Sequence, residues 1–338
     1  MSDEVLKIVD LHTHFFTDQG EIPAVDGVSI TVHKGEVVGI VGESGCGKSV
    51  TSLSIMQLVP SPPGKIVGGS IYFKDEDLLK ASKKRIKDIR GNEISMIFQE
   101  PMTSLDPLFT IGNQLREAIR IHQKVSKNKA NQKSIEMLKL VGIPRAEEVM
   151  NEYPHQLSGG MRQRVMIAIA MSCDPEILIA DEPTTALDVT IQAQILDLMK
   201  KLNKEKDTAI LLITHDLGVV AEICDRVVVM YSGQVVEEGT TREILKDPTH
   251  PYTKGLIRSI PKLHEKNQKL YSIPGTVPKP KMGMNGCRFK DRCEFAFERC
   301  STETPELFSL ANNRSSRCFL LNDGERKVVH DAQSDIRS

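Results

Sequence analysis

Three features that the sequence lacks limit what the protein can be. No apolar run in its 338 residues approaches the ~18–20 residues that a bilayer-spanning helix needs, so any membrane role requires a spanning partner. The N-terminus has neither the basic nor the apolar region of a secretory signal peptide, and we expect a cytosolic chain. The formal net charge is −1, which gives no electrostatic case for nucleic acid as the main partner.

Cysteine is present, but a disulfide framework is not expected in a cytosolic protein. Three of the seven cysteines are scattered, at Cys46, Cys173 and Cys224. The other four lie close together near the C-terminus. The apolar fraction is 40%, enough for the core of one large α/β domain with a smaller appendage.

The most informative stretch is Val37–Thr51, where an apolar strand-like run meets a glycine-rich turn and a helix start. Gly42, Gly47, Lys48 and Ser49 fit the phosphate-loop pattern G-x4-G-K-[ST]. Its glycines let backbone N–H groups face phosphate oxygens, and the helix adds the positive end of its dipole. We expect Lys48 to reach the β- and γ-phosphates and Ser49 to bind Mg²⁺. The nucleotide-binding candidates here are Gly42, Ser44, Gly45, Cys46, Gly47, Lys48, Ser49 and Val50.

Two later apolar runs also end in polar residues. Ile177–Ala180 precedes Asp181 and Glu182, and Ala209–Ile213 leads to His215. Open α/β sheets bind ligands at the carboxyl ends of such strands, where one acid can hold Mg²⁺ and a neighbour can take a proton from water. A solvated turn is the alternative for the acids, and a structural role is the alternative for the histidine.

The remaining pattern predicts an antiparallel β layer near the N-terminus and a helical subdomain at about 100–155, between Gln99 and Tyr153. Phe15 or Phe16 could stack on a nucleotide base. Ser158 is a candidate helix N-cap. The expected strands are Val5–Phe16, Val28–Val32, Gly69–Lys74 and Glu93–Phe98, with a hairpin of Val227–Tyr231 and Gln234–Glu237. The expected helices are Ser52–Val59, Ile111–His122, Ala130–Val141 and Arg162–Ser172.

The order of these motifs closely resembles the nucleotide-binding subunit of an ABC transporter, from about Val5 to Leu245. The motifs that carry the resemblance are Gly42–Ser49, Gln99, Leu157–Met161, Ile177–Glu182, Ala186-Leu187-Asp188 and His215. The implied fold, at residues 1–248, is a RecA-like core with an antiparallel β layer and a helical subdomain.

The resemblance also implies a role for each motif. Asp181 would bind Mg²⁺ with Ser49 and Gln99, and Glu182 would be the general base. Gln99 would be the Q-loop sensor, His215 the switch histidine and Asp188 the D-loop residue. In that family the signature residues, here Ser158 and Gly160, bind the γ-phosphate held by the other subunit of a dimer. Phe15 best matches the adenine-stacking aromatic, although the family usually has tyrosine there, so Phe16 stays open.

The C-terminal part resembles the extension of the oligopeptide/dipeptide importer ATPases, most similarly the dipeptide-permease D-type subunit. The matching segments are His250–Leu256 and Ile273–Pro278. We expect an extension at 249–322 and a polar, disordered tail at 323–338.

Four cysteines in this extension form the pattern C-x5-C-x6-C-x17-C: Cys287, Cys293, Cys300 and Cys318. Four thiolates suit a tetrahedral zinc ion or an iron–sulfur cluster. The short knuckles usual for zinc are absent, and some importer ATPases that this chain resembles carry a [4Fe–4S] centre here. Zinc and free or paired thiols remain alternatives. Nearby basic residues would offset the thiolate charge or form a solvated face; they are Arg288, Lys290, Arg292 and Arg299.

The predicted function is ATP hydrolysis that powers import of dipeptides or oligopeptides. The partners would be transmembrane permease subunits and a second cassette, identical or related, with a substrate-binding protein acting indirectly. The chain would lie at the cytoplasmic face of the membrane as a peripheral subunit. The alternatives are an importer of nickel or another small solute, a non-transport ABC ATPase of DNA repair or translation, and a redox sensor.

Overall fold

The computed structural model describes residues 3–99, 104–185, 187–260 and 271–321. The predicted disordered tail at 323–338 and Ala186 of the D-loop motif lie outside these residues. The strands are β1 (Glu4–Thr17), β2 (Gly20–His33), β3 (Val37–Val41), β4 (Gly64–Phe73), β5 (Glu76–Asp77), β6 (Ile94–Ile97), β7 (Ile177–Asp181), β8 (Ala209–Thr214), β9 (Arg226–Tyr231), β10 (Gln234–Thr240), β11 (Phe308–Ser309) and β12 (Ser315–Ser316).

The predicted antiparallel layer is confirmed as a sheet of four strands in the order β2-β1-β4-β5. Strands β1 and β2 form a hairpin that pairs from Thr17 opposite Gly20 to Glu4 opposite His33. Two strands are longer than their sequence pattern predicts, since β2 begins at Gly20 and β4 at Gly64. Proline and glycine weaken a strand pattern, whereas shifts in the pairing register of β1 accommodate them in the folded sheet.

A second sheet forms the centre of the molecule, in the order β11-β12-β10-β9-β3-β8-β7-β6. Strands β9, β3, β8, β7 and β6 run parallel, and every residue of β3, β7 and β8 is buried. A parallel sheet covered on both faces explains these continuous apolar runs. The predicted polar groups therefore follow strands that end at the same edge of the sheet.

The helices are α1 (Lys48–Ile55), α2 (Lys83–Ile89), α3 (Ile111–Gln123), α4 (Lys127–Leu140), α5 (Ala146–Val149), α6 (Gly159–Met171), α7 (Val189–Lys206), α8 (Leu217–Ile223), α9 (Thr241–Lys246), α10 (Pro251–Arg258) and α11 (Glu298–Thr302). The predicted continuation of the first helix to Val59 is wrong, because the chain leaves helical geometry at Gln57, whose φ is +49°. The two helices predicted between Gln99 and Tyr153 are confirmed as α3 and α4. None of the helices in the described ranges has the length and apolar character of a membrane span.

The C-terminal extension continues the central sheet. Its strand β12 pairs with β10, with Ser316 opposite Glu237. The Glu237 carboxylate is fully buried and accepts a hydrogen bond from Arg314 at 3.0 Å. The rings of Tyr252 and Phe289 from the extension pack on Tyr231 of β9, with centroids 4.6 and 5.2 Å from it. The extension is thus fixed directly beside the strand that neighbours the phosphate-loop strand.

Candidate active site

The phosphate loop is held so tightly that two of its glycines have no room for a side chain. A Cβ atom at Gly42 would lie 2.3 Å from the carbonyl oxygen of Met230. One at Gly47 would lie 2.4 Å from the carbonyl oxygen of Ala24, and Gly47 also has a φ of +105°. Ser44 and Gly45 are exposed at the loop tip, whereas Cys46 is fully buried. The loop therefore presents its tip to solvent from a rigid base between β2 and β9.

Lys48 begins α1 and lies across this loop. Its ammonium group donates hydrogen bonds to the carbonyl oxygens of Gly42 and Glu43, at 2.8 and 3.1 Å. The residue is only 6% exposed. The ammonium is thus held at the loop by neutral carbonyl acceptors. A phosphate group is a charged and stronger acceptor, and it can take their place.

Asp181 ends β7 and faces the start of α1. The Ser49 hydroxyl donates to its carboxylate at 3.1 Å. Burial raises the pKa of Asp181, the neighbouring Glu182 charge raises it further, and the Ser49 hydrogen bond opposes both. A hydroxyl and a buried carboxylate form the oxygen-donor set that Mg²⁺ binds, so these two residues fit the implied ion.

Three side chains hydrogen-bond to the carboxylate of Glu182. Its carboxylate contacts Gln99 Nε2 at 2.9 Å, Thr185 Oγ1 at 3.0 Å and His215 Nδ1 at 3.1 Å. Burial by itself would raise the pKa of Glu182, but these three contacts and the charge of His215 lower it below its ordinary value. The carboxylate is therefore ionised near neutral pH, in the state that can accept a proton.

The backbone at Glu182 is in the left-handed region, with a φ of +48°. Such a conformation is unfavourable for a residue with a side chain and persists where its surroundings enforce it.

Thr185 was not singled out from the sequence. Its position three residues after the acid, within a Pro-Thr-Thr turn, was the available signal, because threonine hydroxyls bond locally in turns.

The remaining candidates lie at helix starts and on β1. Ser158 is confirmed as the N-cap of α6, with its hydroxyl accepting from the N–H of Met161 at 3.3 Å. Asp188 caps α7 in the same way and is exposed. Phe15 is half-buried, whereas Phe16 is 49% exposed. Which of the two stacks on a base stays a prediction.

The C-terminal extension reaches the phosphate loop directly. Arg292 donates two hydrogen bonds to the Glu43 carboxylate, at 2.7 and 3.0 Å, and its side chain is 4% exposed. The Tyr252 hydroxyl accepts from the Glu43 N–H at 2.8 Å. Arg288 likewise pairs with Asp26 of β2. Instead of the expected roles, a counter-charge to thiolates or a solvated face, these two arginines form partly buried ion pairs with the cassette.

The four cysteines of the extension line one small cavity, together with His250, Phe289 and Phe319. They are free thiols. Burial raises the pKa of Cys293 to about 11 and that of Cys318 to about 12, and the other cysteines add to both shifts. Forming four thiolates here therefore requires a positive centre among them.

The spacing of these sulfurs bears on the size of that centre. In the described ranges, no three of the four Sγ atoms lie mutually within 4.8 Å. A tetrahedral zinc ion with Zn–S bonds of about 2.3 Å would hold its sulfurs about 3.8 Å apart. The four sulfurs therefore do not form a preorganised tetrahedral zinc site in the described chain.

Two family models match the chain. The family model described as ABC transporter matches residues 25–185, and that of the oligopeptide/dipeptide transporter C-terminal region matches residues 236–300. The oligopeptide transport ATP-binding protein AppD of Bacillus subtilis is 56% identical over 94% of this chain and 96% of its own length. The dipeptide transport ATP-binding protein DppD of the same organism is 50% identical over 94% and 95%.

Solved structures show the same cassette. A dimeric structure of the bacterial ABC transporter cassette MJ0796 matches with a TM-score of 0.63 and 30% identity, over 70% of this chain and 99% of that one. A second dimeric structure of it, in a post-hydrolysis state with ADP and Pi, matches with a TM-score of 0.63 and 29% identity, over the same shares.

Proposed function

The chain belongs to the ABC transporter family, in the group with the oligopeptide/dipeptide transporter C-terminal region, and we propose that it powers peptide import through a separate membrane permease. It would act as a peripheral subunit at the cytoplasmic face. The peptide-transport relatives match nearly its whole length, which favours peptides over nickel and over a non-transport ATPase. The hydrogen-bonded, ionised Glu182 is the observation that carries the hydrolytic role.

The proposed chemistry is in-line attack of water on the γ-phosphate of ATP. Glu182 would orient the water and accept its proton, while His215 and Gln99 hold the carboxylate in place. Lys48 would leave the loop carbonyls and donate to the β- and γ-phosphates. Ser49 and Asp181 would hold Mg²⁺, which, when bound, would supply positive charge to the phosphates.

A second cassette would complete the site. Ser158 and Asp188 cap their own helices and, in the described chain, have no hydrogen bond to the phosphate loop. The exposed starts of these helices offer backbone N–H groups to an anion on another molecule. We therefore propose that Ser158 and Gly160 contact the γ-phosphate bound by a partner cassette, which can be a second copy or a related chain.

An exposed apolar pair suits the permease contact. Leu108 and Phe109 follow Gln99 along the chain and are 80% and 52% exposed. Large apolar side chains left in water together mark a surface that another protein covers. Their position between the Q-loop residue and the helical region would link permease movement to Gln99.

The cysteine cavity would hold a [4Fe–4S] cluster, with zinc as the second candidate. The convergence of Cys287, Cys293, Cys300 and Cys318 on one cavity supports a metal centre. Arg292 is adjacent to Cys293 and binds Glu43, so this centre would support the segment that reaches the phosphate loop.

The substitution Glu182→Gln tests the hydrolytic role. It keeps the size of the side chain and removes the proton acceptor. We expect ATP binding to persist while turnover of the permease-assembled protein falls by ~10²–10⁴, the usual contribution of a positioned base. Glu222→Gln, at an exposed position on α8, is the matched control and should be neutral. Near-normal turnover of the Glu182 variant would remove Glu182 from this role.

A further inference from the structure

A cluster of possible metal ligands lies in the N-terminal sheet, separate from the residues assigned to nucleotide and from the cysteines. One ring nitrogen of His12, one of His14 and one carboxylate oxygen of Asp26 lie within 4.8 Å of one another. The fold explains their meeting. His12 and His14 are two residues apart on β1, where the pairing register shifts, and their ring centroids lie 6.3 Å apart. Asp26 of β2 is the cross-strand partner of His12.

One ring nitrogen of His14 has no hydrogen-bond partner among the described residues. The residue is 6% exposed, and its Nε2 atom is buried with no hydrogen-bond partner within the described chain. Its Nδ1 atom contacts Glu21 Oε1 at 2.6 Å. The tautomer with its proton on Nδ1 fits this contact, because a carboxylate oxygen accepts, and in that tautomer Nε2 carries a lone pair. A buried acceptor without a donor is unfavourable, and a cation would satisfy it.

His12 also has a ring nitrogen whose hydrogen bonding is incomplete, because two carboxylates contact its ring. Its Nδ1 atom lies 3.0 Å from Asp26 Oδ1 and its Nε2 atom lies 3.2 Å from Asp10 Oδ1. A neutral imidazole has one N–H, so it can donate to only one of two carboxylates. When Nε2–H donates to Asp10, the Nδ1 lone pair faces an Asp26 oxygen, and two acceptors at this distance require a cation or a second proton between them.

In each of the three candidate ligand residues, the polar atom that would not bind the metal contacts another side chain. Glu21 holds His14, Asp10 holds His12, and Arg288 donates to the second carboxylate oxygen of Asp26. Histidines that bind metals commonly give their other N–H to a carboxylate, which fixes the ring and raises its basicity. A chance cluster of surface charges does not require such an arrangement.

We propose that His12 Nδ1, His14 Nε2 and Asp26 Oδ1 bind a divalent transition-metal ion, with Zn²⁺ as the expected occupant. Two imidazoles and one carboxylate are a common zinc donor set, and water would take the fourth position. The ion would brace the β1–β2 hairpin one residue from Phe15. It would also tie that hairpin, through Asp26 and Arg288, to the extension. No ligand is shared with the ATP site or the cysteine cavity.

Co²⁺ is the probe, because its visible spectrum separates nitrogen and oxygen ligands from thiolates. Anaerobically purified full-length protein is titrated with Co²⁺ and, in parallel, with Zn²⁺ by equilibrium dialysis, both without nucleotide. We expect one equivalent bound with no thiolate charge-transfer band. His12→Gln and His14→Gln should each abolish this binding, whereas His33→Gln, at an exposed position on β2, should leave it unchanged.

The outer carboxylates give a graded test. Glu21→Gln and Asp10→Asn should weaken Zn²⁺ binding by about 10–100-fold without abolishing it. If buried His14→Gln fails to fold, the half-exposed His12→Gln and these two variants decide the outcome. The proposal is overturned if the parent binds neither ion at this stoichiometry, if both histidine variants bind as the parent does, or if thiolate bands accompany all of the bound Co²⁺.

Discussion

The contact between Arg292 and Glu43 allows the coupling between the extension and the phosphate loop to be tested. We expect Arg292→Gln to weaken ATP binding. The arginine side chain is buried and makes two charge-assisted hydrogen bonds to Glu43. Without these hydrogen bonds the phosphate loop is less ordered before nucleotide binds. Part of the binding free energy is then spent on ordering the loop, which lowers the affinity for ATP.

The size of the effect follows from the geometry. A hydrogen bond to a charged group contributes about 1.5–3 kcal/mol. The Glu43 side chain is 32% exposed, so water replaces part of what is lost, and we estimate a net loss of about 2 kcal/mol. At about 1.4 kcal/mol for each tenfold change, ATP would bind up to ~30-fold more weakly.

Titration of the purified chain with a fluorescent ATP analogue measures this change. Arg242→Gln, at an exposed position on α9, is the matched control. Glu43→Gln should weaken binding in the same direction. Because the two residues act as a pair, the double variant should lose less than the sum of the single variants. Parent-like affinity in Arg292→Gln, or fully additive losses, would refute the reasoning.

Further predictions concern the shared site, the cysteine centre and pH. Lys48→Ala and Ser158→Arg homodimers should each be inactive in an ATPase assay. If the chain pairs with itself, a mixture of the two variants should regain one working site. A mixture that stays inactive until a related cassette is added identifies a heterodimer. Cys293→Ser should remove iron and acid-labile sulfide from anaerobically purified protein, and ATP should still bind, with an affinity no lower than that of Arg292→Gln. Stoichiometric zinc in a colourless parent would contradict the cluster. His215→Ala removes a contact that lowers the pKa of Glu182, so the acidic limb of residual turnover should move to higher pH; an unmoved limb would separate that limb from Glu182.

The parts of the site that sequence alone predicted are those defined by local pattern. The phosphate loop, the acids at the end of β7 and the cap at Ser158 each depend on a few adjacent residues, and the structure places them at strand ends and helix starts. Strand limits were less predictable, because β2 continues through Pro23 only with the help of register shifts in its partner. Such shifts depend on pairing and leave no mark in a single strand's sequence.

Long-range pairs could not be predicted. Arg292 and Glu43 are 249 positions apart, and a lone arginine in a basic stretch is most simply interpreted as solvated. The meeting of His12, His14 and Asp26 depends on the register of the β1–β2 hairpin. In both cases the information lies in the way that distant segments pack, which periodicity and composition do not record.

The most direct test of the central claim is peptide uptake by the reconstituted importer. Vesicles that contain the permease, the natural partner cassette and this chain are supplied with external binding protein, labelled di- and oligopeptides, and ATP inside. The account predicts ATP-dependent peptide accumulation that Glu182→Gln abolishes and Glu222→Gln preserves. ATP-driven accumulation of nickel without any peptide, or peptide uptake that continues at the normal rate with Glu182→Gln in this chain, would contradict it.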